Sequence, residues 1–208
     1  MPASKKLNIR KLTVFILAAA MLFFTREPNP YMLAVGVLLA SIGEFFRIWG
    51  AGHLTKNLEL TTSGPYAHLR HPLYVGTGLV MFGLLLPATI PPDWVPNFSA
   101  PNFYILIVAF LGYAFYYFPY KNQNEAERMI RRFGEDAEHW VANVPQFIPR
   151  PTRYERAKDK KWSWKQTVHN SEAGVPFAIL AGFVIIARSW WLSPLWENAP
   201  KWLFGDFS

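Results

Sequence analysis

Five long apolar runs, separated by charged or proline-rich stretches, set the pattern of this chain. Residues 12–24 carry no charge, and Pro28-Asn29-Pro30 separates them from the run 31–49, which bears only Glu44 and Arg47 near its end. The run 73–90 leads into Pro91-Pro92, 103–119 becomes tyrosine-rich at its far end, and 175–192 carries only Arg188. Several approach the roughly 20 residues that cross about 30 Å of hydrocarbon as a helix. The first is shorter and would need tilting or a thinned bilayer. None alternates with the period of two that a barrel strand requires. The pattern predicts an all-α, polytopic membrane bundle of about five transmembrane helices at these positions, one domain over residues 1–208. A helical segment at about 120–165 joins the fourth and fifth spans: 121–140 has helix-forming composition with Glu127 four residues before Arg131, and Pro145, Pro149 and Pro151 then break the chain.

Charge adds an orientation. The N-terminal tail holds four basic residues, 47–70 holds three and 121–165 holds eleven, against Arg26, Arg188 and Lys201 on the other alternate faces. By the positive-inside rule the N-terminus and the 120–165 segment are cytosolic, in a bacterial inner membrane or an endoplasmic reticulum alike. Trp162, Trp164, Trp190 and Trp191 flank the last span as an interface belt does. The first run resembles a secretory signal, but its small residues Ala18-Ala19-Ala20 lie in mid-run, so a retained span is expected. Hydrophobic residues make up 51% of the chain and charged ones 17%, so an ordinary soluble domain is disfavoured, while a mean hydropathy of +0.09 leaves room for a polar segment. The net charge of +7 is then mostly topological, and with no recognition motif beside it nucleic acid is not an expected partner. The absence of cysteine excludes disulfides and thiolate chemistry. His53, His68, His139 and His169 lack the spacing of a zinc site, so no metal ligand is predicted.

Two strings carry candidate chemistry. In the first, residues 62–76, Gly64-Pro65 marks a turn and Pro72 suits the first position of a helix. Arg70, His71 and Tyr74 place a cation, an imidazole and a phenol at the membrane entrance, His71 and Tyr74 on one helical face. The second string runs from Asn124 to Gly134, with Trp140 and Val144-Pro145 beyond it. By itself it reads as an amphipathic helix closed by a glycine. Gly76-x-Gly78, inside an apolar run, is no dinucleotide fingerprint and suits helix packing.

Together the strings resemble the integral-membrane methyltransferases that include isoprenylcysteine carboxyl methyltransferase and the phospholipid N-methyltransferases. The similarity lies in Arg47-Ile48-Trp49, Gly64-Pro65-Tyr66, Arg70-His71-Pro72-Leu73-Tyr74-Val75-Gly76, Glu125 with Phe133-Gly134, and Val144-Pro145 with Pro149. Ala126 and Ala137 depart from the acid and the tyrosine usual there. The resemblance implies S-adenosylmethionine as cofactor and a lipophilic methyl acceptor drawn from the bilayer, most like a prenylated cysteine carboxylate, with membrane lipids as the surroundings. It implies Arg70, Glu125 and Arg47 in catalysis, and Tyr66, Arg70, His71, Pro72, Tyr74, Gly76 and Glu125 around the cofactor. Trp140, Tyr117 and Arg131 would hold the acceptor. Methyl transfer to a carboxylate needs alignment and water exclusion rather than a general base. The alternatives are a phospholipid amine N-methyltransferase, an NADPH-dependent reductase of the sterol reductase type, which shares the Arg-His-Pro-x-Tyr string, and a non-enzymatic membrane adaptor.

Overall fold

The computed structural model describes residues 28–56, 58–89, 101–112 and 118–188. In order these form α1 (Pro30–His53), a 3-10 turn (Gly64–Ala67), α2 (Pro72–Thr89), α3 (Pro101–Leu111), α4 (Phe118–Phe133), α5 (Glu135–Asn143), α6 (Trp164–His169) and α7 (Val175–Ala187). Among the described residues there is no strand, in keeping with the all-helical class expected. The expected span at 12–24 and Tyr117 lie outside the described residues.

The second and third expected spans are α1 and α2. Within the fourth, α3 covers Pro101–Leu111 and α4 covers Phe118–Phe133, with residues 113–117 outside the described ones. Phe118 and Pro119, the last two residues of that apolar run, belong to the amphipathic helix that carries Glu125. Among the described residues α1 alone is both long and apolar enough to cross a membrane; α2 and α7 are shorter apolar helices.

Local chemistry explains the helix ends. The Asn29 side chain accepts hydrogen bonds from the Tyr31 and Met32 amides at 3.0 and 3.2 Å, and Pro30 occupies the first turn where its missing N–H costs nothing. Gly134 stands at φ +60°, a conformation that lets α4 stop and α5 start at an angle with no intervening loop. Glu135, Asp136 and Glu138 then complement the α5 N-terminus.

α1 and α2 pack antiparallel through glycine. A Cβ at Gly83 would stand 2.4 Å from the Gly36 carbonyl oxygen, and one at Gly43 would stand 2.6 Å from that of Gly76. These residues recur every seven positions, so one narrow seam on each helix keeps meeting the other. Ala40 continues the seam, and at its end Gly50 faces Pro72. The opposite faces stay uncovered: Leu38 of α1, Val108 of α3 and Leu180 of α7 are each about 60% exposed, at 60%, 61% and 62%.

α7 joins this pair from the start of its own helix. Arg47 Nη2 donates to Glu172 Oε2 at 2.5 Å, and Arg47 Nε lies 3.4 Å from Glu44. The same guanidinium hydrogen-bonds Thr77 of α2, so one cation ties together α1, α2 and the approach to α7. Further along, Gly182 meets Leu84 of α2. The α1 C-terminus, the α2 N-terminus and the α7 N-terminus therefore share one end of the bundle. A second core sits over that end, built from Leu60, Tyr66, Ala137, Trp140, Val144 and Tyr154.

The seam yields a test. Gly83→Ala should lower the stability of the detergent-purified protein by about 1–3 kcal/mol, despite alanine's better helix propensity, because its methyl group meets backbone rather than a yielding side chain. Gly174→Ala, whose methyl would meet nothing within 4 Å, should change stability by less than about 0.5 kcal/mol. Thermal unfolding of the two variants checks the difference.

Candidate functional site

The residues after the 3-10 turn are held by a second stretch of chain far away in sequence. The amides of Arg70 and His71 donate to the carbonyls of Pro145 and Gln146, at 2.8 and 3.2 Å. In return the amides of Arg150 and Tyr154 donate to His68 and Ala67 carbonyls, at 3.0 and 2.9 Å. The Pro145–Pro149–Pro151 stretch, which cannot continue a helix, thus lies extended along 67–71 and fixes it. Trp140, fully buried, sends its indole N–H to the Tyr66 carbonyl at 3.0 Å and pins α5 to the turn.

A cavity of about 400 Å³ opens between this clamp, the first turn of α2, the inner face of α4 and the loop after α1. On one wall the Tyr74 hydroxyl donates to Glu125 Oε1 at 2.6 Å, across 51 positions of sequence. His71 stacks between Tyr74 and Phe147, both ring centroids 5.3 Å away, and its Nδ1 lies 3.8 Å from Glu125 Oε2. The other wall holds Arg70, which is only 9% exposed and whose Nε has no hydrogen-bond partner. Burial works against the charged form of Arg70 and lowers its pKa. The Tyr66 phenol is pushed up, by burial first and then by the carboxylates of Glu172 and Glu125, so it remains a neutral hydroxyl. Lys56, Arg70, Arg128 and Arg132 face two carboxylates, Glu59 and Glu125, and Glu59 is already paired with Lys160. An excess of cations around a buried, incompletely bonded guanidinium is a setting for an anionic group.

The structure brings Tyr66, Arg70, His71, Pro72, Tyr74, Glu125 and Trp140 to this one cavity. Three expected site residues lie elsewhere. Arg47 is engaged by Glu44, Glu172 and Thr77 inside the bundle. Gly76 lies on the helix seam, where a Cβ would stand 2.5 Å from the Gly43 carbonyl and 2.6 Å from the Arg47 side chain. Arg131 points outward and pairs with Glu127 at 3.6 Å. The residues that join Glu125 are Arg128, Met129, Arg132 and Phe133. They follow it by three, four, seven and eight positions, the spacing of one helical face, and that spacing was the available signal. The loop contribution, Lys56 and Glu59, had none.

Comparison with known proteins turns the functional reading. The chain is 30% identical over 152 residues to the cobalt-zinc-cadmium resistance protein CzcN of Cupriavidus metallidurans, covering 70% of this chain and 63% of that protein. It is also 30% identical over 122 residues to the nickel-cobalt-cadmium resistance protein NccN of Alcaligenes xylosoxydans xylosoxydans, covering 57% of this chain and 50% of that protein. The chain thus spans about half to two thirds of the length of these relatives. No protein-family model matches it, and no solved structure does. These relatives are named for metal resistance, which corrects the methyltransferase resemblance and with it the methyltransferase activity expected from the two strings. The reductase and adaptor alternatives gain no support from them either. S-adenosylmethionine and a methyl acceptor entered only through that resemblance.

Arg70 separates a binding role from a structural one. Arg70→Met keeps the length of the stem and removes a buried, underbonded charge, so the unfolding temperature should stay level or rise. A loss of more than about 1 kcal/mol in thermal unfolding would show instead that Arg70 holds the fold.

Proposed function

We propose that this chain contributes to resistance against transition-metal ions such as cobalt, zinc, cadmium or nickel. It does so as a multi-span membrane protein whose cavity holds a small ligand bearing an anionic group. The identity of 30% over 70% of the chain with a cobalt-zinc-cadmium resistance protein is the observation that carries the metal reading. The ligand reading rests on the cavity's own chemistry. Arg70 Nε offers a charge-assisted hydrogen bond that it does not make among the described residues, and the Tyr74–Glu125 pair offers an acceptor for a donor or cationic end of the same molecule. Among the described residues no group of three or more His, Asp or Glu could hold a metal ion, and the sequence has no cysteine. The cavity is therefore read as a small-molecule site rather than as a metal cage.

The membrane reading goes beyond the single clear span. It is supported by the outward apolar faces of α1, α3 and α7, and by the gathering of the polar segments at one end of the bundle. The five-span arrangement, with the N-terminus and the cavity on the cytosolic side, agrees with eighteen of twenty-one basic residues on one set of alternate faces.

Expression in a host deleted for its own metal efflux tests the function. The wild-type chain should raise the inhibitory concentration of at least one of the four metals severalfold, Arg70→Met should abolish the gain, and Gly174→Ala should keep it. No gain with any of the metals would overturn the reading. For topology, reporters inserted within 91–100 and at 158–161 should report opposite sides of the membrane; the same side for both would sink the multi-span arrangement.

A further inference from the structure

Beside the main cavity, a second groove of about 340 Å³ lies between the loop after α1 and the helix α6. Its rim holds Lys56, Lys165 and His169 together with Thr55, Ser163 and Gln166. No carboxylate lines it, in contrast to the main cavity. α6 is short, and its faces are sharply divided. Thr167 turns inward and is fully buried, Trp164 and Val168 form an exposed apolar stripe at 52% each, and Lys165 and His169 form the adjacent basic stripe. Leu58 on the opposite lip is 80% exposed.

The position of this groove is fixed by bonds to the end of the clearest candidate span. Gln166 Nε2 and Asn170 Nδ2 donate to the Leu54 carbonyl at 2.7 and 2.8 Å, and Asn170 also donates to Ala51 at 2.8 Å. The Ser163 amide donates to the Gly52 carbonyl at 3.1 Å. The Trp162 indole N–H reaches the Ile48 carbonyl at 3.1 Å, its ring lying where a Cβ on Gly52 would be. α6 thus lies across the α1 C-terminus, with five residues between it and α7, and Trp162 and Trp164 stand next in sequence to Lys161 and Lys165. On the membrane reading above, the end of α1 stands where a bilayer changes from acyl chains to phosphates.

We propose that this groove binds the headgroup of an anionic phospholipid, with Lys56 and Lys165 on the phosphate, Ser163 and Gln166 as neutral hydrogen-bonding neighbours, and Leu58, Trp164 and Val168 against the upper acyl chain. The inference rests on the membrane reading above but not on the metal reading. Trp164 next to Lys165 matches the two-part chemistry of a lipid at the interface, and no carboxylate lines this groove to compete for an anion there.

The test is a titration of the full-length, detergent-purified protein, read by tryptophan fluorescence. The probes are short-chain phosphatidylglycerol, short-chain phosphatidylcholine and inorganic phosphate. Phosphatidylglycerol should bind well below its micelle concentration and clearly more tightly than the other two. Lys165→Gln, which lines this groove and not the main cavity, should weaken it about fivefold. Equal binding of phosphatidylcholine, a full response to phosphate alone, or unchanged affinity in the variant would each overturn the proposal. Metal tolerance is scored separately on Lys165→Gln. Lost lipid selectivity with tolerance intact confirms the groove and leaves the metal function standing. A wild type that binds phosphatidylglycerol selectively yet gives no tolerance confirms the groove while overturning only the metal function.

Discussion

Everything at the polar end of this molecule depends on how closely α1 and α2 approach. Backbone meets backbone where Gly36 faces Gly83 and Gly43 faces Gly76, and no side chain larger than hydrogen fits at those points. In hydrocarbon such contact takes the place of the hydrophobic drive that water would supply. The approach sets where Pro72 begins its helix against Gly50, and so where Arg70, His71 and Tyr74 stand relative to the loop after α1. It also opens the space in which the Arg47 stem lies beside Gly76. Residues that touch no ligand thereby determine the geometry of the residues that would.

The cavity combines two electrostatic situations within one small volume. Glu125 is surrounded by partners: the Tyr74 hydroxyl and, more distantly, the His71 ring and Arg128, each at 3.8 Å. Arg70 is buried with a nitrogen left over. A fold that desolvates a guanidinium without giving it a carboxylate bears an energetic burden, and such burdens persist where an external group relieves them. The proline-rich stretch and the residues after it hold 67–71 through four backbone hydrogen bonds, two of them from Arg70 and His71, and keep that arrangement from relaxing.

The sequence made much of this legible, and for physical reasons. Apolar runs of helical length foretold α1, α2 and α7, and the proline and glycine signals at Pro30, Pro72 and Gly134 stand at real helix ends. The motif residues Arg70, His71, Tyr74 and Glu125 do converge, because two of the three contributing elements are short strings with their chemistry in register. The start of the amphipathic helix α4 at Phe118 was hidden, since Phe118-Pro119-Tyr120 extends an apolar run without a visible seam. Arg131, expected beside the acceptor, turns outward while Arg128 and Arg132 line the cavity, because a helix sorts residues by angle. The seven-residue spacing of Gly36, Gly43 and Gly50, matched by Gly76 and Gly83, was in plain view and names the packing seam directly. Function was the least legible part. A shared string dictates the shape of a pocket, while what the pocket serves is decided by the rest of the chain.

The bond between Arg47 and Glu172 has a consequence for the way this protein is made. Its partners are separated by 125 residues, so during synthesis Arg47 and Glu44 reach their helix long before Glu172 exists. Until the ribosome has passed that point, the carboxylate beside the Arg47 guanidinium, among the described residues, is that of its own helical neighbour Glu44. The tie to α7 therefore forms last, and a chain interrupted ahead of Glu172 presents a charged, open α1–α2 hairpin.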